Sequence, residues 1–305
     1  MLSRSKNGIS IVIVLGMVVI VMFANSCYRK GENIPTGPPT ANSRLTDGWQ
    51  AFESGEYEEA IASFAASKNR DAAYYDAYNG LAWSYTRIFD YDQAMPNFKV
   101  YMTLVSDKPE LLIDAYAGLA TMYAASGDDQ EAINWANQII DTNPAYQFNH
   151  DARINAKSLV SLIAKSYYNL EDYLAALKIV QSSINSDFVN TLKSDGILFD
   201  AVDDTIQIRV RAVSQTPMSG QVVMEITRML DDTEIDVSLV DVISVTSART
   251  QSRYDILSFA PGNNLVRIYG NPIPRDKDKF LVNYLYTTDF VLFISRLLKE
   301  IENNQ

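Results

Sequence analysis

The chain carries one histidine, His150, and one cysteine, Cys27. A zinc site built on paired His or Cys, a Cys-x-x-Cys redox pair and an intrachain disulfide each need at least two such residues, so none can form within one chain. His150 has no evident Ser or Cys partner to activate and reads as a surface residue. Carboxylates are the abundant reactive type that remains. The acidic runs Asp200–Asp204 and Asp231–Asp236 could face calcium, but both lack the ligand spacing and central Gly of an EF-hand loop. Asp is a favoured turn residue, so both runs read as turns between strands. A Gly-x-Ser-x-Gly elbow, a phosphate-cradling Gly-rich loop and a dinucleotide fingerprint do not occur. The expectation is a protein that binds rather than catalyses, with no metal and no cofactor.

Charge narrows the partners. The 26 Lys and Arg residues against 37 Asp and Glu give a net charge of −11, and residues 44–186 alone hold 10 basic and 19 acidic side chains. A field of that sign repels phosphate backbones, so nucleic acid is not an expected partner. The 305 residues suggest about two domains, at about 150 residues each. With 47% hydrophobic and 21% charged residues, the composition is that of an ordinary globular chain.

The amino terminus bears on where such a protein sits. Arg4 and Lys6 precede an apolar stretch from Ile9 to Ala24, relieved only by Ser10 and Gly16. It falls short of the ~20 residues that span a bilayer comfortably and suits the hydrophobic region of a signal peptide. The stretch runs into Ala24-Asn25-Ser26-Cys27. Small residues leading into the only Cys resemble a bacterial lipoprotein signal. That resemblance implies removal of residues 1–26 and lipid on Cys27. It also implies anchoring to the bacterial cell membrane or outer membrane, facing outside the cytoplasm, in the periplasm where there are two membranes. An uncleaved signal anchor ending at a coincidental Cys is the alternative, and it too tethers the chain. Residues 27–43, with Ile34-Pro35-Thr36-Gly37-Pro38-Pro39, read as a flexible linker behind the lipidated Cys.

Beyond the linker the sequence repeats. Gly55-Glu56-Tyr57-Glu58-Glu59-Ala60 aligns with Phe89-Asp90-Tyr91-Asp92-Gln93-Ala94, and again around Ala132 and Ala176. A small residue stands twelve before each alanine, at Gly48, Ala82, Ala120 and Ala164, and Phe64, Phe98 and Val180 stand four after, with Ala136 undersized. One small residue on each of two helices lets their axes approach closely, while the aromatics fill the space between pairs. Residues 44–186 resemble a tetratricopeptide repeat array of four helix-turn-helix units. Pro96, early in a second helix, is expected to bend it. An insertion around Ala145–Ala156 carries Tyr146, Phe148 and His150. Such arrays curve, and the first helix of each pair lines the concave side. By family position that side would present Trp49, Phe52, Asn79, Trp83 and Arg87, and further along Thr121, Lys165, Tyr168 and Asn169. The resemblance implies a groove for a protein or peptide partner; the competing reading makes Trp49 and Trp83 core between units.

From residue 187 to 305 the period changes. Thr205–Ala212 alternates as a half-buried strand does, Gln221–Arg228 and Val237–Val245 follow, and Asn264–Tyr269 and Phe280–Tyr286 suit further strands. Turn residues separate them at Thr216–Gly220, Asp231–Thr233, Pro261–Asn264 and Asn271–Pro274. Phe290, Phe293, Ile294, Leu297, Leu298 and Ile301 keep helical spacing, with Thr288 as the expected N-cap. The expected fold is α+β: a solenoid of four repeat units, then a small antiparallel, sandwich-like β domain closed by an amphipathic helix. The expected function is a membrane-anchored scaffold or adaptor lipoprotein mediating protein–protein contacts in the bacterial cell envelope. The rival is an enzyme or ligand receptor with its site in the β domain.

Overall fold

The computed structural model describes residues 40–207, 209–213, 221–225, 228–230, 233–235, 238–260, 263–269 and 279–304. Cys27, the apolar stretch before it, and most of the linker lie outside the described residues, as do the expected turns 216–220, 231–232 and 271–274. Eight helices come first, in consecutive pairs: α1 (Ala41–Glu53) with α2 (Tyr57–Arg70), α3 (Tyr75–Arg87) with α4 (Tyr91–Leu104), α5 (Pro109–Ser126) with α6 (Asp129–Thr142), and α7 (Ala156–Asn169) with α8 (Tyr173–Ile179). Each helix packs on the next. The first helix begins three residues before the expected boundary at residue 44, because Thr40 caps it by accepting from the Ser43 amide. Helix α8 runs on as a π-helical turn, Val180–Ile184, and α9 (Phe188–Ser194) follows, so the helical part extends past residue 187.

The turn inside each pair is built the same way. Gly55 and Gly127 adopt left-handed φ of 82° and 84°, and the equivalent Phe89 and Glu171 are held at 62° and 61°. Such a residue reverses the chain in minimal length, at no steric cost for Gly and at a cost for Phe and Glu. In the last three pairs an Asp follows directly and caps the second helix: Asp90, Asp128 and Asp172 accept from the amides of Gln93, Glu131 and Ala175.

Small residues set the contact between helices. Ala60, Ala94, Ala132 and Ala176 are fully buried, as are Ala82, Ala120 and Ala164. Phe64 of α2 fills a notch shared by α1 and α3: a Cβ at Gly48 would lie 2.6 Å from its ring, and one at Gly80 2.3 Å. Phe98 repeats the device against Gly118, at 2.1 Å. At the third interface the sizes are exchanged, with Ala136 at the position of Phe64 and Phe98, and Leu162 at that of Gly80 and Gly118. That exchange accounts for the undersized Ala136. Helix α4 continues through Pro96 to Leu104.

The carboxy-terminal part is an antiparallel sheet. Its strands are β1 (Phe199–Gln207), β2 (Arg209–Val213), β3 (Gln221–Glu225), β6 (Ser238–Ser247), β7 (Arg253–Ala260), β8 (Asn263–Tyr269) and β9 (Lys279–Thr287), in the order β1-β9-β6-β7-β8-β3-β2. A separate hairpin joins β4 (Arg228–Leu230) and β5 (Thr233–Ile235). Only residue 208 separates β1 from β2, yet β1 pairs with β9 and β2 with β3. One stretch of chain therefore contributes the strands at both ends of the order. β7 is likewise divided, pairing its first residues with β6 and the rest with β8. Two sequence expectations are corrected here. Asp200–Asp204 lies within β1, not in a turn, and its first residue ion-pairs with Lys193 at 2.8 Å. The last helix, α10 (Phe290–Glu302), is capped by Asp289 rather than Thr288: the aspartate carboxylate accepts from the Leu292 amide at 2.9 Å.

Helix α10 joins the two parts. Phe293, Leu297 and Ile301 are fully buried in a cluster that includes Ala164, Leu177 and Val180 of the last helix pair, Leu192 of α9 and Val240 of β6. Among the described residues, no helix is long and apolar enough to cross a membrane.

Candidate partner-binding groove

The connection between α6 and α7 spans residues 143–155, where the other connections among the first eight helices take two to four. Connections this long between packed helices usually carry a task of their own. This one forms a strap across the face lined by α1, α3 and α5. Its chain is extended from Tyr146 to Phe148, where it bridges back to Asn155, and turns at residues 149–150: Tyr146 and Phe148 are buried and His150 in the turn is half-buried, while Gln147 and Asn149 are exposed.

Each inward side chain has a defined seat. The Phe148 ring stacks on Trp83 at 4.5 Å, with Trp49 and Phe52 meeting it edge-on at 6.0 and 6.3 Å. His150 lies flat on the Trp49 indole, 3.6 Å between ring centres and 3° between planes, and its Nδ1 is 2.8 Å from Glu53 Oε1. Tyr146 donates its hydroxyl hydrogen to Asp114 of α5 at 3.0 Å. Asp151 pairs with Arg87 of α3 and also accepts from Arg153. Below them the Trp49 indole N–H donates to Asp76 at 3.0 Å, tying α1 to α3.

Electrostatics mark the same floor. Burial pushes the Asp114 carboxyl up to about 6, against the opposing hydrogen bond from Tyr146, with Asp76 raising it further and His150 lowering it. Burial also drives the Tyr146 and Tyr101 hydroxyls well above the usual phenol range. For Asp151 burial acts upward, but the hydrogen bonds from Arg153 and the charges of Arg87 and Arg153 outweigh it and hold the carboxyl below its ordinary value. Among the described residues, three buried atoms of α3 have no hydrogen-bond partner: Asn79 Oδ1, Trp83 Nε1 and Arg87 Nε.

These contacts change the reading of the candidate residues. Trp49, Phe52, Asn79 and Trp83 do lie where α1 and α3 face the strap, but they are 6%, 3%, 2% and 0% exposed and offer no free surface. Their cover is the chain's own strap, which repeat spacing could not reveal. Arg87 is paired, so it is not a free probe of a partner. His150 is not a lone surface residue but a stacked ring in the strap. Asp76, Asp114 and Asp151 were missed, and the signal that could have found the site was the i, i+2, i+4 spacing of Tyr146, Phe148 and His150.

Past the strap the face lined by α5 and α7 is open. Between α5 and α7 lies a cleft of about 410 Å³. It brings together Thr121, Lys165 and Asn169, three of the expected partner residues, over an apolar bed that includes Ile154, Leu159 and Leu162. Lys165 also reaches Glu302 of α10 at 3.1 Å, and Asn169 donates to Asp129 at 3.1 Å. Tyr168 stands outside the cleft lining, with its ring 5.2 Å edge-on from Tyr173 and the Lys165 ammonium 5.6 Å from its centre. No group of three metal-ligating side chains occurs among the described residues. No protein-family model matches the chain, and no curated protein matches it.

Proposed function

We propose that the chain is a tetratricopeptide-type lipoprotein, anchored through lipid on Cys27, that acts as a protein-binding scaffold in the bacterial cell envelope. The observation that carries this reading is the cleft between α5 and α7, where Thr121, Lys165 and Asn169 surround an apolar bed. A mostly apolar cleft with a few polar groups at its rim is the usual form of a site for a protein segment. The repeat assignment draws support from the matched positions of the buried alanines, the left-handed turn residues and the Asp caps. The lipoprotein assignment draws support from the sequence around Cys27.

A photocrosslinking residue placed at Ala125, exposed at the cleft rim, tests the site in cells. It should capture one defined envelope protein, and the same residue at Gln138, exposed on a second helix, should not. Equal capture at both positions would overturn the assignment of the cleft. Intact mass of the membrane-extracted protein tests the anchor separately, since a species that keeps Met1 to Ser26 and carries no acyl mass leaves only the signal anchor.

A further inference from the structure

The geometry points to a second, concealed docking site: the floor formed by Trp49, Asp76, Trp83, Arg87 and Asp114 takes an extended peptide with aromatic side chains at alternate positions followed by an acidic residue, and the strap is its built-in, displaceable occupant. The inference rests on the scaffold reading but concerns a different part of the concave face from the open cleft.

The strap itself supplies the ligand chemistry. Tyr146, Phe148, His150 and Asp151 enter the floor as a hydroxyl donor to Asp114, a ring on Trp83, a ring on Trp49 and a carboxylate to Arg87. Every second side chain is read from Tyr146 to His150, and the adjacent Asp151 completes the set.

Three observations say that the strap seats its side chains in the floor without its backbone being woven into it. Its backbone is bonded within itself: the amide of Phe148 donates to Ile154, that of Ala156 donates to Tyr146, and Gln147 bridges Asn155. No backbone hydrogen bond joins residues 144–155 to α1, α3 or α5 among those described. The outer tie to α1 is partly exposed, with the side chains of His150 and Glu53 at 27% and 51%, and an ion pair at that exposure contributes little; the buried charged tie is Asp151 to Arg87. Finally, among the described residues the buried Asn79 Oδ1 and Trp83 Nε1, on the helix that carries Arg87, have no hydrogen-bond partner. Buried polar groups are normally satisfied, and a peptide that supplied the missing partners would outbind the strap.

The test uses the chain from residue 27 onward with positions 145–153 replaced by a Gly-Ser segment of equal length, and a synthetic peptide of the strap sequence, Ala145–Arg153, as probe. The replaced protein should keep its helical circular dichroism and bind the peptide saturably in calorimetry, with a scrambled peptide binding at least tenfold more weakly. Adding Arg87→Glu to it should weaken binding at least tenfold. The unaltered protein should bind the peptide at least tenfold more weakly than the replaced one, because its own strap competes. A folded replaced protein that ignores the peptide overturns the inference, and so does one that loses its helices, since the strap would then be core. Hydrogen exchange on the unaltered protein decides the same point independently. The Phe148 and Ala156 amides should exchange at least a hundredfold faster than those of α3, and equal protection would make the strap a fixed part of the fold. Both results stand apart from the fate of the α5–α7 cleft, which the Ala125 crosslink reads alone.

Discussion

Gly118→Ala separates two opposing effects that the structure lets us size. In an isolated helix the change stabilises by about 1 kcal/mol, because Gly gives up more backbone freedom than Ala. Here the new Cβ would lie 2.1 and 2.5 Å from Cζ and Cε1 of Phe98, well inside contact distance. Phe98 is fully buried and Trp83 meets its ring edge-on at 6.1 Å, so the ring has little room to retreat. Overpacking of this kind costs about 1–3 kcal/mol. The net expectation is a loss of about 1 kcal/mol, read as a lower urea midpoint at unchanged slope. Phe98→Leu removes the ring tip and leaves a cost of its own, but in that background Gly118→Ala should change sign and stabilise. The double-mutant coupling should be about 1 kcal/mol or more. If Gly118→Ala stabilises the parent by about 1 kcal/mol, the notch between α4 and α5 is not packed as described.

Other substitutions test neighbouring parts of the argument. Ala94→Leu and Ala132→Leu, at fully buried helix contacts, should each lower stability by about 1–3 kcal/mol, and melts like the parent would place these alanines elsewhere. Phe89 is 72% exposed at a φ of 62°, so Phe89→Gly should relieve strain and raise stability by about 1 kcal/mol in a thermal melt; a decrease would mean that its edge contact with Tyr91 outweighs the strain. Burial lifts the Asp114 carboxyl from its ordinary 3.8 to about 6 in the fold, so the native state holds the extra proton between those limits. Stability should therefore fall by about 3 kcal/mol as pH rises from about 4 to 6, and Asp114→Asn, which can still accept from Tyr146, should remove that decrease relative to the parent. Parallel pH profiles for the two proteins would refute the raised carboxyl.

The helix pairs were legible because their signal is local and repeated. A small residue twelve positions before each alanine, with Phe64, Phe98 or Val180 four after three of them, records where two helices touch and what fills the gap. The strands were legible wherever one face alternates, as in β6 and β9, which bury every second residue over much of their length. β7 was missed because Arg253-Tyr254-Asp255-Ile256 follows a turn closely and offers little contrast before Leu257 and Phe259 blur the alternation. The N-cap moved by one residue because Thr and Asp stand side by side, and only the backbone geometry decides between them. The floor of the groove was not legible at all. Trp83 and Phe148 are sixty-five positions apart, and nothing in either neighbourhood states that one covers the other. Repeat spacing describes contacts between successive units, whereas the strap returns across three of them.

Helix α10 explains why the array can stop after four pairs. A stack of helix pairs buries each unit against the next, so its last unit has an apolar face with nothing to cover it. Phe293, Leu297 and Ile301 supply that cover, and the same helix buries Val240 and Leu285 of the sheet in one continuous cluster. Polar ties ring the contact: Ser161 donates to the backbone of Asn304 at 2.9 Å, Asn185 to Glu300 at 3.0 Å, and Arg296 pairs with Asp195. The cap is thus made from the far end of the chain, and the sheet is held against the array through a shared core rather than a linker. Lys165 sits at the meeting point, lining the open cleft on one side and reaching Glu302 of the cap on the other. A ligand of that cleft would therefore hold a fixed position relative to the sheet, as the proposed scaffold role requires.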